Sequence, residues 1–525
     1  MADQDDIWLA QTDPQLVTIA RNVGTRYLAI AVEMLIGLVM LPFNLRHLGQ
    51  EAYGLWMLTA GLTIHFSVLD MGYGSALVKF IAQYRAHKDA RALNEIASTM
   101  FYVYAAIGAA AYLVVIVLAL HLGSFFRITP AQADTGKWLL LIIGLNIACN
   151  FPFSVFGGVI DGFQRYDRNN LVAIVSSLAV ASANAAVLVA GYGLVALVAA
   201  TTSVRLLTYF VYRTNAYRIY PPLRINTSFF RRSRLREVTG FSIYSSIIDW
   251  ANKLNYELDE IVIGVFLGTA PVAIWAVADR IISGTQRLTN QVNGVLFPFI
   301  VDSDTTNQNA RLQRLLLEGT RLSIATVVPI AVALILLAKP LVKAWVGKAG
   351  PQMMASAPLI QILAIVVALR VGSATGTTLL KGAGRVRYLA AVNIASGLVN
   401  LILSALLVRP FGLIGVAVGT LVPVAFSAVF ILFPAACRRV DLPIGRACRF
   451  AVWPGLWPAV VVGLALQAIK IVSPGTLLAV IGEAAAATAL YFVLFAFAIG
   501  RRDRSEYVAK MMSLVGRDTR LVPVS

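Results

Sequence analysis

Fourteen stretches of about twenty mainly apolar residues dominate the chain, and each is long enough to cross a hydrocarbon core of about 30 Å as a helix. They fall at 27–45, 53–72, 97–120, 138–160, 170–190, 192–212, 240–264, 271–300, 322–338, 358–380, 388–408, 412–434, 450–469 and 476–499. A barrel would instead show alternating segments of about ten residues. Over 525 residues, 58% are hydrophobic and only 13% charged. A soluble domain carries about 25% charge, so a water-soluble enzyme is excluded. The net charge of +18 does not point to nucleic acid either, because no polar domain exists to present a basic face. The fold class expected is an all-α integral membrane protein of about 14 transmembrane helices.

Basic residues orient such a chain, since cytoplasmic loops retain Lys and Arg. With the N-terminus placed in the cytoplasm, 31 of the 44 basic residues lie on that side and eight on the other. Both termini are therefore expected to be cytoplasmic. The remaining five, Arg205, Lys253, Arg280, Arg287 and Arg370, fall within spans. The segment 213–236 carries seven Arg and Pro221-Pro222, and reads as a retention signal lying on anionic lipid. The first 20 residues hold four Asp and no Lys or Arg, so a cleavable signal is not expected. Cys149, Cys437 and Cys448 form neither a disulfide frame nor a metal pattern, and no cofactor is expected.

The chain also repeats itself. Leu48-Gly49-x-x-x-Tyr53-Gly54-Leu55-Trp56 returns as Leu267-Gly268-x-x-x-Val272-Ala273-Ile274-Trp275, and Gly193-Leu194-Val195-Ala196-Leu197 as Gly412-Leu413-Ile414-Gly415-Val416. Asp161-Gly162-x-x-Arg165 returns as Lys381-Gly382-x-x-Arg385. The offset spans six helices, an even number, so the halves are expected to be parallel repeats with an axis along the membrane normal. This divides the chain into an N-lobe (1–212), a basic linker (213–239), a C-lobe (240–436), and two C-terminal helices with a basic tail (437–525). Two pseudo-symmetric six-helix lobes imply a cavity that can open to either side, as a transporter needs.

Several segments together resemble Wzx-type oligosaccharide flippases, within the polysaccharide transporter family of the multidrug/oligosaccharidyl-lipid/polysaccharide exporter superfamily. They are Arg46-x-Leu48-Gly49-x-x-x-Tyr53-Gly54-Leu55-Trp56, Leu69-Asp70-Met71-Gly72-Tyr73-Gly74-Ser75-Ala76 and Gly162-x-x-Arg165-Tyr166 in the first half. The second half adds Asp259-x-x-x-x-Gly264-x-Phe266-Leu267-Gly268, Trp345-Val346-Gly347 and Gly412-Leu413-x-Gly415-Val416-Ala417-x-Gly419-Thr420. The resemblance implies a multi-pass protein of the bacterial cytoplasmic (inner) membrane that moves undecaprenyl-pyrophosphate-linked oligosaccharide outward. The product would feed O-antigen, capsule or exopolysaccharide assembly. It further implies an ion-coupled antiporter driven by H+ or Na+, acting as a monomer beside glycan assembly proteins. The absence of a G-x-x-x-x-G-K-[ST] loop agrees that ATP is not the driver. A multidrug antiporter or a lipid II flippase of the same superfamily is the nearest alternative. A membrane glycan polymerase is disfavoured, because the longest loop is the basic 213–236 segment and no acid/base pair lies outside the membrane.

Charges inside a membrane are functional candidates by default. Arg280 and Arg287 lie seven apart on one helix face, with Asn290 at the next i+3 position, and Arg370 is mid-span. With Lys253 these are expected to line the cavity and hold pyrophosphate, guanidinium being suited to paired oxyanion contacts. Asp249, Lys253 and Glu257 form an i,i+4 stripe that could carry a coupling ion or simply neutralise itself. Glu33, in the first span, is the best lone acid for coupling. Asn146, Asn150, Asn184, Asn252, Asn255, Asn293, Asn393 and Asn400, with Tyr244, Trp250 and Trp275, are candidates for sugar contact, although such Asn ordinarily bond neighbouring helices and such aromatics anchor at the interface. Asp70 reads as a helix-end residue, and Arg205 as a side chain snorkelling at a helix end.

Overall fold

A computed structural model describes residues 15–239, 258–289, 291–306, 308–469 and 476–498, and every regular element among them is helical. Ten helical stretches among the described residues are long and apolar enough to cross a membrane. The protein is therefore a multi-pass, all-α membrane protein. The principal helices are α1 (Gln15–Ile64), α2 (Tyr73–Ala86), α3 (Ala90–Leu120), α4 (Pro130–Gly162), α5 (Tyr166–Val189) and α6 (Leu194–Ile219). They continue with α7 (Asp259–Phe266), α8 (Thr269–Thr289), α9 (Gln291–Thr305), α10 (Asn309–Trp345), α11 (Ser356–Gly382), α12 (Val386–Phe426), α13 (Phe433–Arg439), α14 (Trp453–Ile469) and α15 (Leu477–Ala498).

Two of these helices each absorb two of the expected spans. Helix α1 runs for 50 residues and α12 for 41. At about 1.5 Å per residue each exceeds a bilayer core, so each must break. The break falls at Gly49 (φ 79°) in α1 and at Gly412 (φ 59°) in α12, where only a residue without Cβ takes left-handed backbone cheaply. The expected span 53–72 stops short: α1 ends at Ile64, a 3-10 turn covers His65–Asp70, and Met71 (φ 50°) and Gly72 (φ 70°) turn the chain into α2. The span expected at 271–300 forms as α8 and α9. Most of the one at 240–264 lies outside the described residues. Helix α10 starts at Asn309, well before the span expected at 322–338, and takes buried Arg321 into its body.

The sequence repeat has a backbone counterpart. Gly49 and Gly268 both take positive φ (79° and 90°). Gln164 and Gly384 do the same (60° and 72°), and each follows the Gly of the repeated turn by two residues. Both turns close alike. Gln164 N–H donates to Asp161 O (2.8 Å) and Arg165 N–H to Ile160 O (3.1 Å), while Gly384 N–H donates to Lys381 O (3.1 Å) and Arg385 N–H to Leu380 O (2.9 Å).

The chain divides into two compact units. The first holds residues up to Arg280 together with 348–353 and 393–419. Its core joins α2, α3 and α4 through buried Leu77, Ile81, Leu93, Ile96, Val155 and Val159. Glycines set the closest approaches. Pro152 has no N–H to give the carbonyl of Ala148, and Gly108 on α3 lets the neighbouring backbone close over that oxygen, where any Cβ would collide. Gly54 meets the carbonyl of Thr269 in the same way. Since backbone cannot step aside as a flexible side chain can, Gly108→Leu is expected to destabilise the unit by about 3 kcal/mol. Thermal melting in detergent should show a clear loss against wild type, with Gly24→Leu, which has open space around it, as the near-neutral control.

The basic segment, expected to lie on anionic lipid, is also bound to protein. Helix α6 continues to Ile219, and the chain from Tyr220 to Thr239 crosses the ends of α2 and α3 as a strap. Asn94 Nδ2 donates to Pro222 O (3.0 Å) and its Oδ1 accepts from Arg224 N–H (2.9 Å). Ser98 Oγ donates to Arg224 O (3.0 Å), and Arg231 N–H donates to Thr99 Oγ1 (3.0 Å). Buried Tyr220, Leu223 and Val238 join the core beneath. The Glu95 carboxylate, 8% exposed, receives Arg91 (3.2 Å), Arg234 (3.2 Å) and Arg231 (3.7 Å). Arg234 also bonds the Tyr84 hydroxyl (2.7 Å), which donates to Glu237 (3.0 Å). Burial and then that acceptor push the Tyr84 hydroxyl up to about 12, so it stays protonated and donates throughout the physiological range.

The second unit holds residues 281–347, 354–392 and Thr420 onward. Its axis is α10, onto which α11, α14 and α15 pack. Gly455 of α14 abuts Ile324, and Tyr491 of α15 donates to Gly455 O (2.6 Å). The two C-terminal helices are thus tied to each other and to α10.

Candidate functional site

Within the first unit, α1 beyond its break, the 3-10 turn, α4 and α6 surround a cavity of about 510 Å³. That is within the range of small-molecule pockets. Its polar lining comes from regular spacing. Asn146, Asn150 and Ser154 stand four apart on α4, so one face of that helix presents two amides and a hydroxyl. Thr201 and Arg205 stand four apart on α6, and Trp56 and Phe151 supply aromatic faces. Asp70 enters from the turn, where its carboxylate accepts a hydrogen bond from the buried Tyr104.

Neighbouring helices hold this lining in place. Tyr209, one turn beyond Arg205, donates to Asn146 Oδ1 (2.7 Å) and stacks on Phe153 (ring centroids 5.8 Å apart). Thr201 donates to Asn184 Oδ1 on α5 (2.7 Å). Among the described residues no side chain bonds or pairs with the Arg205 guanidinium. The site combines one cation, one carboxylate, amides, hydroxyls and aromatic faces. Chemically it can hold an oxyanion, hydrogen-bond sugar hydroxyls and stack on sugar faces. Among the described residues no group of His, Cys, Asp and Glu could hold a metal ion.

The charges singled out from sequence are distributed differently. Arg280 packs its guanidinium on the backbone of Gly37 in α1, where a Cβ would collide with it. Glu33 lies one turn before Gly37 on the same helix and is half-buried. Arg287 is exposed two turns further along α8, in the second unit. Arg370 is half-buried on α11, its carbonyl accepting from Ser373. Lys253, Asn290, Asp249 and Glu257 lie outside the described residues. Arg205 needs correction, and Asp70 gains a place in the cavity. Arg205 sits mid-helix, not at a helix end, because α6 runs on to Ile219, and it lines the cavity. Asp70 is a cavity residue as well as a turn residue. The signal that could have found Arg205 is its place in the stripe Thr201, Arg205, Tyr209, spaced four apart.

Known proteins resemble this chain both in sequence and in fold. A sequence model described as polysaccharide biosynthesis protein matches residues 45–354, a stretch that contains every residue lining the cavity. A protein of Haloferax volcanii named probable flippase AglR is 21% identical over 423 residues, covering 79% of this chain and 83% of its own. The lipid II flippase MurJ in an inward closed conformation has a similar fold, with a TM-score of 0.70 at 13% identity, covering 90% of this chain and 98% of that one. An inward-facing multidrug resistance MATE family transporter of the MOP superfamily is also similar, with a TM-score of 0.59 at 14% identity, covering 78% and 98%. The match covers more than half of the chain, and the chain belongs to the polysaccharide biosynthesis protein family.

Proposed function

We propose that this protein moves undecaprenyl-pyrophosphate-linked oligosaccharide from the cytoplasmic to the outer leaflet of the bacterial cytoplasmic membrane, for O-antigen, capsule or exopolysaccharide assembly. The observation that carries this reading is the cavity, where a guanidinium that forms no ion pair among the described residues stands amid amides, hydroxyls, aromatic faces and one carboxylate. A pyrophosphate-linked glycan offers the matching groups: oxyanions, hydroxyls and sugar faces. Both termini lie in the cytoplasm, as the basic-residue asymmetry requires, and the duplicated lobes alternate access. Arg287, Arg370, Arg280, Lys253 and Asn290 complete the anion path. Glu33, Asp249 and Glu257, joined now by Asp70, are the carboxylates available to couple H+ or Na+ entry to export.

The test is reconstitution in liposomes with a fluorescent undecaprenyl-pyrophosphate-linked oligosaccharide. Transbilayer movement should exceed that of empty liposomes and respond to an imposed H+ or Na+ gradient. Arg287→Ala or Arg370→Ala, at wild-type expression, should slow it by about tenfold, the loss expected for one charge-assisted hydrogen bond. No acceleration under any gradient would end the flippase reading. Preference for lipid II or for a cationic dye in parallel assays would move the protein to the lipid II or multidrug alternative.

A further inference from the structure

The hydrogen bonds behind the cavity wall fix which way its polar groups point. Tyr209 has one hydroxyl proton, and donates it to Asn146 Oδ1 at 2.7 Å. Its ring is held by stacking on Phe153 at an interplanar angle of 26°. With its oxygen accepting from Tyr209, the Asn146 amide keeps two N–H donors, and no protein acceptor takes them among the described residues. Asn146 and Arg205 line the same cavity, and Tyr209, which holds Asn146, is one turn from Arg205 on α6. The opposite arrangement holds one turn earlier. Thr201 spends its proton on Asn184 Oδ1 at 2.7 Å and so presents only lone pairs to the cavity. Donors are thus gathered at Arg205 and Asn146, and acceptors at Thr201 and Asp70.

We propose that Tyr209 is a positioning residue for substrate selection: it turns the Asn146 amide so that, with Arg205, it forms an all-donor patch that favours a glycan bearing an oxyanion over its neutral counterpart. This rests on the flippase reading and adds the substrate class. A carboxylate or phosphoryl oxygen accepts from every donor of the patch. A hydroxyl at the same place brings a proton that faces other protons. In Tyr209→Phe the amide is free to rotate and offer its oxygen, so the patch loses its single polarity.

The test uses proteoliposomes and two fluorescent undecaprenyl-pyrophosphate-linked trisaccharides that differ only in a terminal glucuronic acid or glucose. Wild type should move the glucuronic acid form at least tenfold faster at sub-saturating concentration. Tyr209→Phe should bring the ratio near one, mainly by slowing the acidic substrate, while the neutral one moves at its wild-type rate. Asn146→Ala should give the same collapse, since it removes the donor itself. A purely structural role for Tyr209 would slow both substrates equally, and that result would overturn the proposal, as would a wild-type ratio of one. A wild type that moves neither substrate defeats the flippase reading itself, which keeps the two failures apart.

Discussion

Arg205→Ala should cut transbilayer movement of a pyrophosphate-linked oligosaccharide by ten- to a hundredfold and leave the fold intact. Hydrogen bonds to a charged group contribute about 1.5–3 kcal/mol each, and about 1.4 kcal/mol is a factor of ten, so losing one such contact spans that range. The fold should not suffer, because no described side chain depends on the guanidinium for a bond and removal leaves no orphaned partner. Melting temperature should therefore stay at the wild-type value while transport falls. Arg205→Lys separates charge from geometry: an ammonium keeps the charge but cannot make the planar paired contact, so activity should fall between wild type and alanine. Unchanged transport in Arg205→Ala would remove the cavity from the substrate path and return the anion to Arg287 and Arg370.

The helices were legible because a twenty-residue apolar run has few other fates in a membrane, and the repeated motif holds glycines at which the chain turns. Gly49 and Gly268 stand at corresponding positions of one repeated motif, and both take left-handed backbone. Length hid the other boundaries. Residues 65–70 are apolar enough to continue α1, yet they form a 3-10 turn because Met71 and Gly72 reverse the chain just beyond. Arg205 was misplaced for a related reason. A hydropathy window ends at 212, where Arg213 begins the basic run, whereas α6 continues through polar residues to Ile219. Hydrogen bonding along the helix outlasts the apolar stretch, so a residue that seemed near an end is near the middle. The strap was the hardest to foresee. Composition describes 213–236 as positive, but what positions it is a set of polar residues 120 or more positions earlier, Asn94, Glu95, Ser98 and Thr99, whose partners only the fold reveals.

Those partners make Glu95 the residue on which the strap most depends, and Glu95→Ala should cost about 3 kcal/mol of stability. Its carboxylate is nearly covered, and Arg91, Arg231 and Arg234 converge on it. Breaking a buried ion pair from one side costs about 3–5 kcal/mol, mostly from the charge left behind. Arg231 and Arg91 can turn to water, since their side chains are 45% and 76% exposed, but Arg234 is only 25% exposed and keeps just Tyr84 and Glu237. That places the loss at the low end of the range. Glu95→Gln should lose less, because an amide oxygen still accepts from Arg234. Arg234→Ala should lose less than Glu95→Ala as well, because Arg91 and Arg231 remain to neutralise the carboxylate. Salt discriminates further. The exposed pairs of the strap weaken as ionic strength rises, whereas the covered Glu95–Arg234 contact is screened far less. Wild type should therefore keep most of its melting temperature in 1 M salt, and Glu95→Ala should stay low at every salt concentration. Limited trypsin digestion gives an independent reading, because the strap carries several exposed arginines on a backbone pinned by Asn94, Ser98 and Thr99. Cleavage between Tyr220 and Thr239 should be slow in wild type and rise sharply in Glu95→Ala. If the variant melts and digests like wild type, the strap is held by its backbone contacts alone and the arginine cluster has returned to the role composition assigned it, charge presented to the lipid surface.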